Sequence, residues 1–321
     1  MSIKIIKPGI FTTIQDMGRN GYRCDGIGPA GAMDFFAAAL GNILLGNDEN
    51  YPVIEMHFPA AELLFEEDIL VSITGADFCA SVDDIAVELW KPVLIKRQQT
   101  LCFKKYKMGA RAYLSLQGEM KADKWLNSYS TNTKLKAGGY HGRPLIKGDS
   151  ILIDLVASAM HPEHLPDITN LLQPIYEPAG NIRCIVGPEW NSMDDASQKM
   201  FLNESFLITT QSDRMGYRLQ GANLHLVDPA QLISSPVDKG TLQLLPNGQI
   251  IVLMADHQTT GGYPRIANVI SADLPKLAQQ AIHSKLQFEL VNIETAEYAL
   301  LSLYQLLESI QIIHEADRHQ L

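Results

Sequence analysis

Ile250-Ile251-Val252-Leu253-Met254, followed by Ala255-Asp256-His257-Gln258-Thr259-Thr260-Gly261-Gly262-Tyr263-Pro264, sets the reading of this chain. Five apolar residues, mostly aliphatic and partly β-branched, give way to a polar loop rich in turn formers, the pattern of a short strand and the turn that ends it. Seven further runs look alike: Ile69–Ile73, Ala86–Trp90, Ala112–Leu116, Ile151–Leu155, Arg183–Val186, Ser205–Ile208 and Gln287–Val291. Gly, Pro, Asn or Asp punctuates all of them, and few helical patterns lie between. The expected fold is therefore mainly β, of barrels or sandwiches rather than a doubly wound sheet.

Three segments carry helical periodicity. One starts at Asp34, a competent N-cap, and runs from Phe35 to Leu45. Another begins near Asp273, with Pro275 tolerable in its first turn. The last spans about Thr295 to Ile313, where Ala296, Leu300, Leu303, Leu307 and Ile310 form a stripe that must pack within the chain or on a partner.

At 321 residues the chain exceeds what one core usually serves, so two domains are expected. The segment His161–Gly180, with Pro162, Pro166, Pro174 and Pro178, suits a connector and places the boundary near 175, giving 1–175 and 176–321. An echo supports related halves: Arg19-Asn20-Gly21-Tyr22-Arg23-Cys24-Asp25-Gly26 returns as Arg214-Met215-Gly216-Tyr217-Arg218-Leu219-Gln220-Gly221.

A net charge of −10 opposes phosphate backbones and anionic membranes. The longest apolar stretches fall far short of the roughly 20 residues of a spanning helix, and the start lacks a signal-peptide pattern, so a cytoplasmic protein is expected. Cys24, Cys79, Cys102 and Cys184 show no C-x-x-C spacing and the nine histidines no ligand spacing, which speaks against a metal.

Four clusters could carry chemistry. Gln258, Thr259, Gly261, Gly262 and Tyr263 offer backbone N–H groups, hydroxyls and an amide to a carbonyl, carboxylate or phosphate oxygen, although a solvent-facing hairpin loop would use the same residues. Arg214 and Arg218 lie four apart around Gly216; either can bind an anion bidentately or tie its loop down through a carboxylate such as Asp213. Gly28, Gly31 and Asp34 lead into a helix whose N-terminal dipole favours an anion. Gly138, Gly139 and Arg143 form a similar loop behind Ser128, Ser130 and Thr131. No G-x-S-x-G, H-E-x-x-H or Walker A pattern occurs.

On these residues the chain resembles the carboxyltransferase-like family that includes the C subunit of 5-oxoprolinase, the KipI antagonist KipA and allophanate hydrolase subunit 2. The likeness runs from about Ile3 to Ala296 and is carried by Thr13–Arg19, Gly28–Asp34, Gly138–Asp149, Arg183–Pro188, Ser212–Leu219, Gly240-Thr241-Leu242-Gln243, Asp256 and Gln258–Pro264. His257 stands where Arg is frequent, and Gly118-Glu119 replaces a glycine pair. The resemblance implies two cyclophilin-like β-barrel subdomains and partner chains: a KipI-like B component and, in 5-oxoprolinase, a lamB/YcsF-like A component. It implies cleavage of 5-oxo-L-proline to L-glutamate at the expense of ATP, with Arg214, Gln258, Thr259, Gly261 and Gly262 at the reacting carbonyl. Arg218, Arg143, Gly138, Gly139, Gly31, Asp34 and Tyr263 would hold substrate or phosphate. Other members imply carboxyl transfer to or from biotin on a separate carrier, or a non-enzymatic role binding a KipI-like inhibitor.

Overall fold

The computed structural model describes residues 1–154, 168–176, 181–228 and 232–319. The fold is mainly β. The chain divides into two compact units, one of Met1–Arg19, Ala30–Pro174 and Gln305–Leu321, the other of Asn20–Pro29 and Ile175–Tyr304.

The first unit is built from two antiparallel sheets. In one, the order is Glu119–Met120, Ser150–Asp154, Ser2–Lys7, Glu62–Phe65, Thr100–Phe103, Ala80–Val82 and Ile85–Ala86. In the other it is Thr12–Gln15, Val53–Met56, Met108–Leu116, Ile69–Asp77 and Pro92–Ile95. Ile3, Ile5, Leu63 and Phe65 from the first meet Ile14, Ile54, Val71, Ile73 and Leu114 from the second in one apolar core. Side chains of a strand alternate between faces, so Tyr113, between Ala112 and Leu114, belongs to the other face, where it packs with Ala37 and Ala38. These lie on the helix Phe35–Ile43, whose start is fixed as expected: the Asp34 carboxylate accepts the Ala37 N–H at 2.9 Å. Gly41 lets that helix lie close to the sheet, since a Cβ there would stand 2.6 Å from the Ser115 hydroxyl.

The second unit holds an eight-stranded sheet in the order Lys285–Leu286, Phe206–Ile208, Gly216–Gln220, Ile250–Leu253, Thr241–Leu244, Arg265–Val269, Ile182–Val186 and Phe288–Leu290. Its two edge strands are separated in sequence by Gln287 alone. The sheet therefore has to curl until its edges lie near each other, which makes it a nearly closed barrel. Phe201, Phe206 and Phe288 fill its interior, Phe201 stacking on Phe288 at 5.0 Å.

Several expectations need correction. The echo does not mark equivalent elements: its first copy is a loop with a short 3₁₀ turn, Arg23–Asp25, whereas its second supplies the strand Gly216–Gln220. The run Ala86–Trp90 is strand only at Ile85–Ala86. Trp90 takes φ +61°, which ends extended structure there. Helix Asp195–Asn203 was not apparent because only Ser197 and Phe201 of it are buried, too few for a periodic stripe. Of the Pro-rich connector, Thr169–Tyr176 is helical; residues 161–167 and 177–180 lie outside the described residues. The final helix is longer than expected, Ile293–His319, with Leu303, Leu307 and Ile310 buried.

Candidate functional site

Strand register in the second unit assembles the most suggestive site. Arg218 and Gln243 both pair with Ile251, from its two sides, so the three side chains form one row across three strands. Tyr217 and Leu219 face inward, leaving Arg218 exposed on the outer surface. Above this row lies a cleft of about 490 Å³, within the range of small-ligand sites. Its walls include Gln211, Asp213, Met215, Leu245, Asn247, Gln258 and Tyr263.

Four carboxamides and one guanidinium thus converge among apolar neighbours. The amides form a chain: Gln258 Nε2 donates to Gln243 Oε1 and Gln243 Nε2 to the Tyr263 carbonyl, each at 3.4 Å. Gly261 belongs to the same arrangement through space rather than conformation. It pairs with Ser235 in a two-stranded ladder, and a Cβ on it would stand 2.5 Å from Gln243 Nε2. Gly262 has more room, its nearest neighbours being the Leu232 carbonyl at 3.4 Å and the Ser234 hydroxyl at 3.5 Å. Neither glycine has positive φ, so the expected tight turn is not why they are glycine.

Among the described residues no hydrogen bond or ion pair engages the Arg218 guanidinium; its main chain is held, among others, by Ser212 and by the Thr209 N–H. Arg214 is different. It is buried and grips Asp256 with Nε at 2.9 Å and Nη2 at 3.1 Å, tying its loop to the end of strand Ile250–Leu253. Asp213 takes no part in that pair: one of its oxygens accepts the Met215 and Gly216 N–H groups, closing the turn. Thr259 is buried and offers its carbonyl to the Val237 N–H.

The first-unit candidates lie on other elements of their own. Arg143 forms a two-point pair with Asp149, at 2.7 and 2.8 Å, and lies over the Tyr140 ring. That guanidinium holds the Asp149 carboxyl below the usual carboxylate range. Gly138 and Gly139 have positive φ, and added Cβ atoms would collide with the Ser130 carbonyl and the Thr131 hydroxyl. Gly31, also at positive φ, is packed against Gly18. Asp34 is fully buried as the cap of its helix, its own carboxylate lying where an anion was expected. Nearby, Asp16 gathers the Ser128 and Ser130 hydroxyls and the Gly18 and Tyr129 N–H groups. A smaller cleft of about 330 Å³ lies beside it. There the Tyr129 phenol, pushed up to about 12 by burial and by its bond to Glu119, stays protonated.

Gln243 is the site residue that sequence reasoning left out of its candidates. The signal was available: it sits in a strand among apolar residues, and a fully buried amide has to be hydrogen-bonded.

The second-unit cleft contains no Ser, Cys, Lys or His among its lining residues. It is equipped to hold an anion and to read an amide group.

This mainly β architecture matches that of carboxyltransferase-type proteins. The model of the carboxyltransferase domain, subdomain A and B, matches residues 25–290, and the chain belongs to that family. It is 38% identical over 294 residues to the C subunit of 5-oxoprolinase from Escherichia coli, covering 92% of this chain and 93% of that protein. With the protein of the same name from Haemophilus influenzae it shares 39% over 291 residues, 88% and 89% of the two chains. Urea amidolyase of Saccharomyces cerevisiae is 30% identical over 313 residues, which are 92% of this chain but 17% of that enzyme. The fold superposes on the crystal structure of Kluyveromyces lactis urea amidolyase with a TM-score of 0.87 at 24% identity, covering 96% of this chain and 20% of that one.

Proposed function

We propose that the chain is the C component of an ATP-dependent 5-oxoprolinase. The observation that carries this reading is the identity of 38–39% with two proteins named as the C subunit of 5-oxoprolinase, along nearly the whole length of both partners. The cleft suits the substrate chemically. 5-Oxoproline is a small ring bearing one carboxylate and one secondary amide. Arg218 can take the carboxylate through its planar fork. The Gln258 and Gln243 carboxamides, which both donate and accept, can meet the lactam N–H and C=O. Met215, Leu245 and Ile251 face the ring carbons.

In this reading the chain's residues bind, orient and polarise. Amide donors directed at the lactam oxygen favour the electron redistribution that opens the ring. ATP would supply the phosphoryl group that activates this oxygen; water then adds at the carbonyl carbon, the C–N bond breaks with the ring nitrogen leaving as the amine, and a second water releases the phosphate to leave glutamate. In this reading the rest of the machinery belongs to a KipI-like B component and a lamB/YcsF-like A component. Arg214 and Thr259 act as supports behind the cleft, and we place the protein in the cytoplasm.

A second reading, half of a biotin-dependent carboxyltransferase, draws support from the family itself and from the 30% identity to urea amidolyase. Reconstitution separates the two. The chain with its KipI-like and lamB/YcsF-like partners should release glutamate from 5-oxoproline only when ATP is present, and omission of this chain should abolish release. Glutamate release that is unchanged without the chain refutes the proposal, and carboxyl transfer with a biotinylated carrier would favour the rival.

A further inference from the structure

His257 adjoins the cleft without lining it, and its surroundings are unusual. The residue is 2% exposed. Its Nδ1 lies 2.6 Å from the carbonyl oxygen of Gln258. A carbonyl only accepts, so Nδ1 carries the proton and the neutral ring leaves Nε2 as a lone pair. That Nε2 is buried, makes no hydrogen bond among the described residues, and stands 3.8 Å from Asp238 Oδ1.

The other Asp238 oxygen accepts from Arg23 Nη1 at 3.0 Å, and Arg23 also donates to the Val237 carbonyl. Val237 in turn donates its N–H to Thr259. The backbone at Gly28 passes close to the His257 main chain, where an added Cβ would be 2.8 Å from the His257 carbonyl oxygen. The groups facing the imidazole are therefore Asp238, which favours its charged form, and Arg23 and Lys239, which oppose it. Burial is the largest influence and keeps the ring neutral.

A buried ring donating to the next residue's carbonyl restrains the backbone rotation between the Gln258 Cα and its carbonyl. It thereby fixes where the Gln258 side chain starts. We infer that His257 is a positioning residue, acting through Gln258 to hold that carboxamide toward Gln243 and the bound amide. The inference rests on the proposed reading of the cleft, and it assigns His257 no contact with substrate.

Two substitutions isolate the donor. In His257→Asn, the amide nitrogen is bonded to Cγ as Nδ1 is, so it can donate to the same carbonyl. His257→Phe keeps a ring of similar size, loses the donor and also removes the buried Nε2, so it should fold at least as stably as the wild type. In the reconstituted assembly, His257→Phe should raise KM for 5-oxoproline roughly three- to tenfold, the worth of one hydrogen bond, with kcat little changed. His257→Asn should stay close to wild type. The Gln258 side-chain amide resonances of the isolated chain supply a readout that needs no turnover: wild type and His257→Asn should share them, and His257→Phe should shift or average them. Wild-type kinetics in His257→Phe, or equal damage in both variants, overturns the inference. If the wild-type assembly does not turn over 5-oxoproline, the functional reading falls and the resonances decide alone, unchanged Gln258 signals in His257→Phe removing the role of His257.

Discussion

Gly261→Ala tests whether the amide chain is the working part of the cleft. The added methyl would stand 2.5 Å from Gln243 Nε2, whereas carbon and nitrogen need roughly 3.4 Å or more, so the Gln243 amide has to retreat by about 1 Å. Its two bonds, to Tyr263 and from Gln258, are already 3.4 Å long and would both part. Folding should notice little. Alanine at a compatible φ gains about 0.4–1 kcal/mol through the unfolded state, which offsets the loss of two long hydrogen bonds at about 0.5 kcal/mol each. Binding should notice much more, because two misdirected amides facing the substrate amide cost about 1–3 kcal/mol, or roughly five- to 150-fold in KM. Gly262→Ala is the matched control, since its Cβ meets only ordinary contacts at 3.4 and 3.5 Å. The assay is ATP-dependent glutamate release in the assembly, alongside urea unfolding of each variant. If Gly262→Ala is as damaging as Gly261→Ala, or if Gly261→Ala turns over normally, the amide chain is not what binds substrate.

Arg218→Ala should raise KM on the order of a hundredfold, as for a lost charge-assisted contact, with an unchanged urea midpoint because nothing described depends on that guanidinium; a shifted midpoint would point to a structural role. Arg214→Lys should do the reverse, lowering stability by about 1–3 kcal/mol through loss of the two-point grip of buried Arg214 on half-buried Asp256 while leaving kcat of the folded protein near wild type. The lowered pKa values of Asp149, beside Arg143, and of Glu189, beside Arg265, mean that these carboxylates stabilise the fold above the ordinary carboxylate range and lose that contribution as pH falls through their lowered values. Acid titration of stability should therefore be shallower in Asp149→Asn, and an unaltered slope would count against the linkage.

Much of the fold was legible because the signals were local. Short aliphatic runs bounded by turn residues marked seven of eight expected strands, and Asp34 marked its helix start through the chemistry of a cap. The echo misled because five matching residues do not specify a conformation: Arg23-Cys24-Asp25 forms a 3₁₀ turn while Arg218-Leu219-Gln220 continues a strand. In the site, Arg214 and Arg218 looked interchangeable, and only the distant Asp256, 42 residues away, distinguishes the tied one from the available one. Gly261 suggested conformational need, whereas the reason it is glycine is the Gln243 side chain, which no spacing rule relates to it. Pairings set by tertiary register, such as Arg218 and Gln243 flanking Ile251, are unreadable until strand order is known.

The ten residues Asn20–Pro29, grouped with the second unit, have a consequence for biosynthesis. Arg23 leaves the ribosome early, yet its partner Asp238 follows 215 residues later. Gln305–Leu321, grouped with the first unit, follows the whole of the second unit in sequence. The first unit cannot be completed before the second has been translated, so a nascent chain must keep an unfinished first unit soluble until then. A gene cut near codon 175 would yield two fragments each missing a piece encoded by the other, and co-expression of both would be the least that could restore the native protein.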